Sequence, residues 1–278
     1  MLFRIGTAGW SIASHYANQF PCEGSVLERY AARFSCVEVN SSFYRSHHPT
    51  TWTRWGAIVP DGFRFAVKVP RAITHERRLV GCSDLFARLL DETSGLGRKL
   101  AVLLVQLPPS FDYQSHVAED FFLELTAATP ARVVCEPRHP SWFETAPDRL
   151  LARLGIARVA ADPARSPAAA IPGGWAGLSY RRLHGSPVIY RSPYGAERLA
   201  ATRRCSRVSS GELSRRGVSS IILRRSRPLA THSRSASDCF RLMGRHANHK
   251  IARVRRLGPN TRLSCHSARH LTTERPSQ

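Results

Sequence analysis

The sequence predicts an α/β fold of the TIM-barrel type, with about seven strands legible and a basic tail beyond them. Three observations carry this. Seven short apolar runs in the first 190 residues each end on or beside polar, charged or aromatic side chains. Amphipathic segments lie between many of them, at intervals of about one strand plus one helix, the pattern of a parallel sheet with helices outside. The pattern stops near Ala201, where the composition changes. In a β/α barrel the active site sits where the strands end, so polar groups repeated there predict one shared mouth.

The elements follow in order. Leu2–Ile5 runs into Gly9 and Trp10, and Val26, Leu27, Tyr30, Ala31 and Phe34 have helical spacing. In Val37-Glu38-Val39-Asn40, strand alternation puts Glu38 and Asn40 on one face and the valines on the other. Phe63–Val67 ends on Lys68, and Leu85, Phe86, Leu89 and Leu90 form the next helical face. Leu100–Val105 ends on Gln106, and Pro108 and Pro109 then forbid an immediate helix. Val117, Phe121, Phe122 and Leu125 are helical; Val133–Cys135 ends on Glu136 and Arg138. Ala157–Ala161 ends on Asp162, and Tyr180–Gly185 carries Arg182 and His184 on one side. An open doubly wound sheet is the rival. Against it, no Gly-x-Gly-x-x-Gly follows the first strand, and Gly6-Thr7-Ala8-Gly9 is too short and too close to Trp10 to cradle a pyrophosphate.

With 278 residues and 42% apolar content, the chain can bury a full core. No apolar run approaches the roughly 20 residues of a bilayer span, and the first twelve residues lack a basic region followed by a long apolar core. The expectation is a cytoplasmic protein without a membrane partner. The seven cysteines form no Cys-x-x-Cys pair and no zinc-like spacing with histidine, and Cys36 and Cys135 read as buried thiols.

The net charge of +21 is uneven: residues 1–202 hold 23 Lys+Arg against 17 Asp+Glu, while 203–278 hold 18 against 3. The last part contains 17 Arg, 13 Ser and five His, with one brief apolar run at 218–223. Such a stretch buries too little apolar surface to offset its ordering entropy, so the division expected is a barrel domain over 1–200 and a disordered tail over 201–278.

Several blocks resemble the YecE-like proteins, a family of unassigned function. They are Ile5-Gly6-Thr7-Ala8-Gly9-Trp10, Val37 to Arg45, Trp55, Phe63 to Pro70, Ile73-Thr74-His75, Gln106 to Phe111, Glu136-Pro137-Arg138-His139 with Trp142, and Arg182-Leu183-His184-Gly185. The resemblance covers about residues 5–194 and implies a TIM barrel. Ala8 and Pro137 depart from the family, which usually has serine and an aromatic residue there. The larger departure is at the end: the family's last strand, with its Phe-Asp-Asn or Phe-Asn-Asn element, and its Ala-rich helix do not appear in frame. Residues 219–235, written back into codons and read two bases later, can spell a block resembling the missing one. A frameshift between about Ala200 and Ser219 is therefore expected, with a genuine basic extension as the alternative. A barrel without its eighth strand would leave strands one and seven with unpaired edges, prone to aggregation.

Glu38 and Glu136 are the candidates for proton transfer, as acid and base or as a glycosidase-like pair. The alternative is that each pairs with a neighbouring cation, Arg138 and Arg182 being available. His75 and His184 are candidates for orientation or proton relay. Lys68, one of three lysines beside 38 arginines, can bind an anion, form a Schiff base or merely balance Glu38. Arg138 and Arg182 add anion-binding capacity, and Asn40, Gln106 and Asp162 complete the rim. Tyr44, Trp10, Trp55 and Trp142 can make an aromatic wall for a sugar or base, with Trp55 and Trp142 read as packing. No two of His75, His139 and His184 have a recognised metal-ligand spacing, so neither metal nor cofactor is assigned.

The resulting expectation is a YecE-like barrel protein of unassigned reaction, possible hydrolase or isomerase chemistry falling on a small anionic or sugar-like substrate. The alternative is nucleic-acid binding, through the mouth as an endonuclease-like module or nonspecifically through the tail; a third expectation is that the frameshift leaves this chain non-functional. Oligomeric state is left open.

Overall fold

The computed structural model describes residues 2–186, 188–189, 192, 194–195 and 197–202, with the backbone of 218–223. All belong to the compact unit Met1–Arg245; the second unit, His246–Gln278, lies outside the described residues, as does most of the expected disordered tail.

Among the described residues ten strands form one sheet: β1 Leu2–Ala8, β2 Cys36–Val39, β3 Arg64–Lys68, β4 Leu100–Gln106, β5 Arg132–Glu136, β6 Ala157–Arg158, β7 Ala160–Asp162, β8 Gly173–Gly174, β9 Leu178–Leu183 and β10 Val218–Leu223. From β1 to β6 each strand pairs in parallel with the next. β6 and β7 flank Val159 as one extended segment, whose first half pairs with β5 and whose second half pairs with β9. β9 pairs with β10, and β10 with β1. The pairings therefore run in a ring, which an open doubly wound sheet cannot do. β8 is a short antiparallel addition to β6.

All seven strand runs expected from the sequence lie in this sheet. The eighth place, which the sequence leaves without its family-like block, is taken by Val218–Leu223, the brief apolar run of the tail. It gives β1 and β9 a backbone partner on the side where each was expected to be bare. Backbone pairing needs donors and acceptors rather than a particular side-chain motif, so a short β-branched segment can serve.

Helices α1 Val26–Ala31, α2 Pro49–Ile58, α3 Ser83–Thr93, α4 Ser115–Ala128 and α5 Thr145–Arg153 connect the strands. Ser25 and Glu28 form a capping box at the start of α1. Pro49 opens α2 where its missing N–H costs nothing, and Lys99 Nζ donates to the Gly56 and Val59 carbonyls at the other end, 2.7 Å each. One of the three lysines is thus a helix-end clamp.

Alternation divides the core in two. Val37, Val39, Phe65, Val67, Leu103 and Val105 face outward and pack with Phe86, Leu89, Phe121 and Phe122 of the helices. Cys36, Ala66, Val102, Leu104, Val134, Ala157, Leu178 and Tyr180 form a separate inner cluster that fills the barrel. Gly6 is required where β1 passes β2, because a Cβ there would overlap the Cys36 carbonyl. The same inward alternation, continued to the strand ends, delivers Glu38, Lys68, Gln106, Glu136, Arg182 and His184 above that apolar fill.

Candidate active site at the strand ends

Arg182 is the centre of the polar layer. Its side chain has no solvent exposure. Nη2 donates to Glu38 Oε1 at 2.7 Å and Nε to Glu38 Oε2 at 3.0 Å, a two-point ion pair. Nη1 donates to Gln106 Oε1 at 3.1 Å and to Glu136 Oε2. Tyr180 adds its hydroxyl to Glu38 Oε2 at 3.0 Å. Arg138 holds the other oxygen of Glu136, with Nη2 at 3.1 Å and Nε at 3.3 Å. Strands β2, β4, β5 and β9 therefore meet at one guanidinium, and the donor fork of arginine suits it to two carboxylates at once.

This pairing decides the charge states. Burial pushes the Glu136 carboxyl up, but Arg182, Arg138 and His184 outweigh it and hold it down at about 2. Burial works against the Arg182 charge, yet Glu136 and Glu38 keep its pKa above the ordinary arginine value. Burial and the Glu38 charge push the Tyr180 phenol well up, so it remains a donor. Glu136 has no proton to give at neutral pH and is a weak base, and both Glu38 oxygens already accept hydrogen bonds. Each glutamate is thus paired with a neighbouring arginine.

The other rim residues are less enclosed or differently used. Lys68, 4% exposed, carries its ammonium 3.5 Å above the centre of the Phe43 ring, a cation–π contact. The Ser42 hydroxyl donates to the Lys68 carbonyl at 2.7 Å and fixes the turn after β2 against β3. The His75 ring meets the Phe43 ring edge-on at 5.0 Å, and its Nδ1 lies 2.8 Å from Thr74 Oγ1. Burial lowers the His75 pKa first, Lys68, Arg71 and Arg138 lower it further, and Glu76 opposes them. His75 is therefore a neutral imidazole at neutral pH. His184 is buried, its charge bears on Glu136, and its backbone N–H donates to the Asp162 carbonyl at 2.7 Å.

Asp162 is drawn away from the shared layer: its Oδ2 accepts from Arg198 at 2.8 and 3.1 Å, and its carbonyl accepts from the Tyr194 hydroxyl. Asn40 Oδ1 is enclosed and has no hydrogen-bond partner among the described residues. In the expected aromatic wall, Trp142 is fully buried and donates to the Phe111 carbonyl, and Trp10 packs edge-on against Trp55 at 4.8 Å. Tyr44 alone stands out, 78% exposed. Among the described residues no group of three or more His, Cys, Asp or Glu could hold a metal ion. Sequence reasoning missed Tyr180 as a partner of Glu38. The spacing Tyr180-x-Arg182-x-His184 was the available signal, since it puts all three on one strand face.

The family profile described as "Protein of unknown function DUF72" matches residues 4–254. The chain belongs to the DUF72 family. It is similar to the UPF0759 protein YecE of Escherichia coli K12, 34% identical over 141 residues, which are 49% of this chain and 52% of that protein. It is also similar to the UPF0759 protein YunF of Bacillus subtilis, 27% identical over 147 residues, 50% and 51% of the two chains. The chain thus spans about half the length of the curated relatives it matches. Among solved structures it resembles a DUF72 family protein of Thermotoga maritima, at 20% identity over 88% of this chain and 99% of that one, TM-score 0.65. It also resembles one of Enterococcus faecalis, at 17% identity over 89% and 98%, TM-score 0.66. These likenesses concern the fold. The DUF72 match runs through the β10 segment, past the point near Tyr194 where the sequence blocks end. No helix among the described residues is long and apolar enough to cross a membrane.

Proposed function

We propose that this DUF72 chain is an enzyme whose barrel mouth binds a small anionic substrate, with Arg138 and Lys68 receiving the charge and His75 moving the proton. Arg182, Glu38 and Glu136 are the scaffold. The observation that carries this reading is the sharing of Arg182 by both glutamates, which takes up most of their acceptor sites, with Arg138 adding the second positive charge. Arg138, although paired with Glu136, still reaches the surface, 28% exposed along its side chain. A neutral imidazole beside three cations is matched to a base that acts near pH 7. His184, with its charge bearing on Glu136, is a positioning residue in this reading. The test is a thermal-shift and calorimetric screen of the full chain against phosphate, sulfate and citrate, followed by Arg138→Gln. Saturable binding lost in the variant supports the reading; binding of none of the three anions contradicts it.

A competing reading rests on the charge of the tail, 18 Lys+Arg against 3 Asp+Glu over residues 203–278. Nonspecific nucleic-acid binding by that segment would fall steeply with salt. Duplex binding of the full chain at low and high salt tests it, and affinity independent of salt would dismiss it. The frameshift expected upstream of β10 is likewise a proposal. Sequencing the gene across residues 195–225, with mass spectrometry of the native protein, tests it, and an in-frame tail confirmed by both would refute it.

A further inference from the structure

We infer that the ligand of this mouth is a small anion that carries a ring, the ring stacking on Tyr44 while the charged group meets Lys68 and Arg138. The inference rests on the anion-site reading above and names the ligand class of the same site. Asn40 leads into the short 3-10 turn Ser41–Phe43, which directs two successive aromatic side chains to different environments. Phe43 turns in, 7% exposed, with the Lys68 ammonium over its face and the His75 ring at its edge. Tyr44 turns out, its ring perpendicular to that of Phe43 with centroids 4.9 Å apart. The exposed ring is therefore one aromatic contact removed from both the ammonium and the imidazole.

Tyr44 is the most exposed of the large hydrophobic side chains among the described residues. A phenol ring so exposed contributes little to folding, yet its flat face is available for stacking. A bare anion uses the cations alone, whereas a ring-bearing anion uses the cations and Tyr44 together. The shared chemistry is a ring face beside a phosphate, whether the ring belongs to a sugar or to a base.

The experiment is calorimetric titration of the full chain with inorganic phosphate, a hexose phosphate and a nucleoside monophosphate, in wild type, Tyr44→Ala, Tyr44→Phe and Lys68→Met. At least one ring-bearing phosphate is expected to bind about tenfold tighter than inorganic phosphate. Tyr44→Ala should abolish that advantage and leave inorganic phosphate unchanged, while Tyr44→Phe keeps it. Which of the two compounds gains identifies the ring. Equal affinity for all three compounds, with Lys68→Met weakening all, overturns the ring inference and leaves the anion site standing. An advantage that survives Tyr44→Ala also overturns it. No binding of any phosphate removes both.

Discussion

Arg182 and Glu38 form a two-point ion pair at 2.7 and 3.0 Å with both side chains fully enclosed. Burying two charges is costly, and here the cost is offset by Tyr180, Gln106 and Glu136, which occupy most of the remaining donors and acceptors. The pair ties β2 to β9 across the barrel, and Glu136 extends the tie to β5.

Removing the guanidinium should therefore be severe. Arg182→Met removes the cation that the two buried carboxylates share and leaves Glu136 with Arg138 alone, and the expected loss of stability is about 3–5 kcal/mol. Arg182→Lys should recover only part of it, since an ammonium cannot reproduce the planar fork. Chemical denaturation of the three proteins checks this; an unaffected midpoint for Arg182→Met would show that the network does not hold the fold.

His75 supplies a pH dependence of known sign. Its folded pKa lies below the ordinary histidine value, so the stability linked to it is present above about 6.5 and is lost as pH falls through the lowered value. In the proposed role, activity falls on the acid side over the same window. Arg138→Gln removes one of the cations that depress it and should move the midpoint toward 6.5. NMR titration of the His75 ring measures it, and a midpoint above 6.5 in wild type would count against the neutral-base role.

The eighth strand is open to a backbone test. Ile221 lies opposite Ile5 on one side and Arg181 on the other. Ile221→Pro removes a ladder donor within the strand and should weaken its pairing with both neighbours. Hydrogen exchange should report it as faster exchange along β1 and β9. Unchanged protection there would mean that Val218–Leu223 does not pair with them in solution.

Much of the mouth was legible because strand alternation is a property of the chain itself. Glu38 alternates with apolar neighbours, Arg182 shares a strand face with Tyr180 and His184, and Lys68, Gln106 and Glu136 each end an apolar run. Arg138 and Arg182 were legible as available partners, but which carboxylate each takes was not, because the distance from Arg182 to Glu38 is set by barrel closure over more than a hundred residues of chain. Asp162 ends its strand as expected, yet Arg198 engages it, and that contact depends on how the chain returns after β9. The eighth strand was obscured for another reason: Val218–Leu223 sits in an Arg/Ser-rich context, and its pairing draws on the open edges of β1 and β9.

The central claim is that Glu136 is a scaffold group ionised at neutral pH, and the carboxyl carbon shift of Glu136, followed by NMR from pH 7 downward, tests it most directly. The account predicts an ionised carboxylate through pH 4 and a midpoint at about 2. The stability it contributes is then present above its ordinary value of 4.5 and lost as pH falls through about 2. A midpoint at or above pH 5 would contradict the account and return Glu136 to the role of general acid.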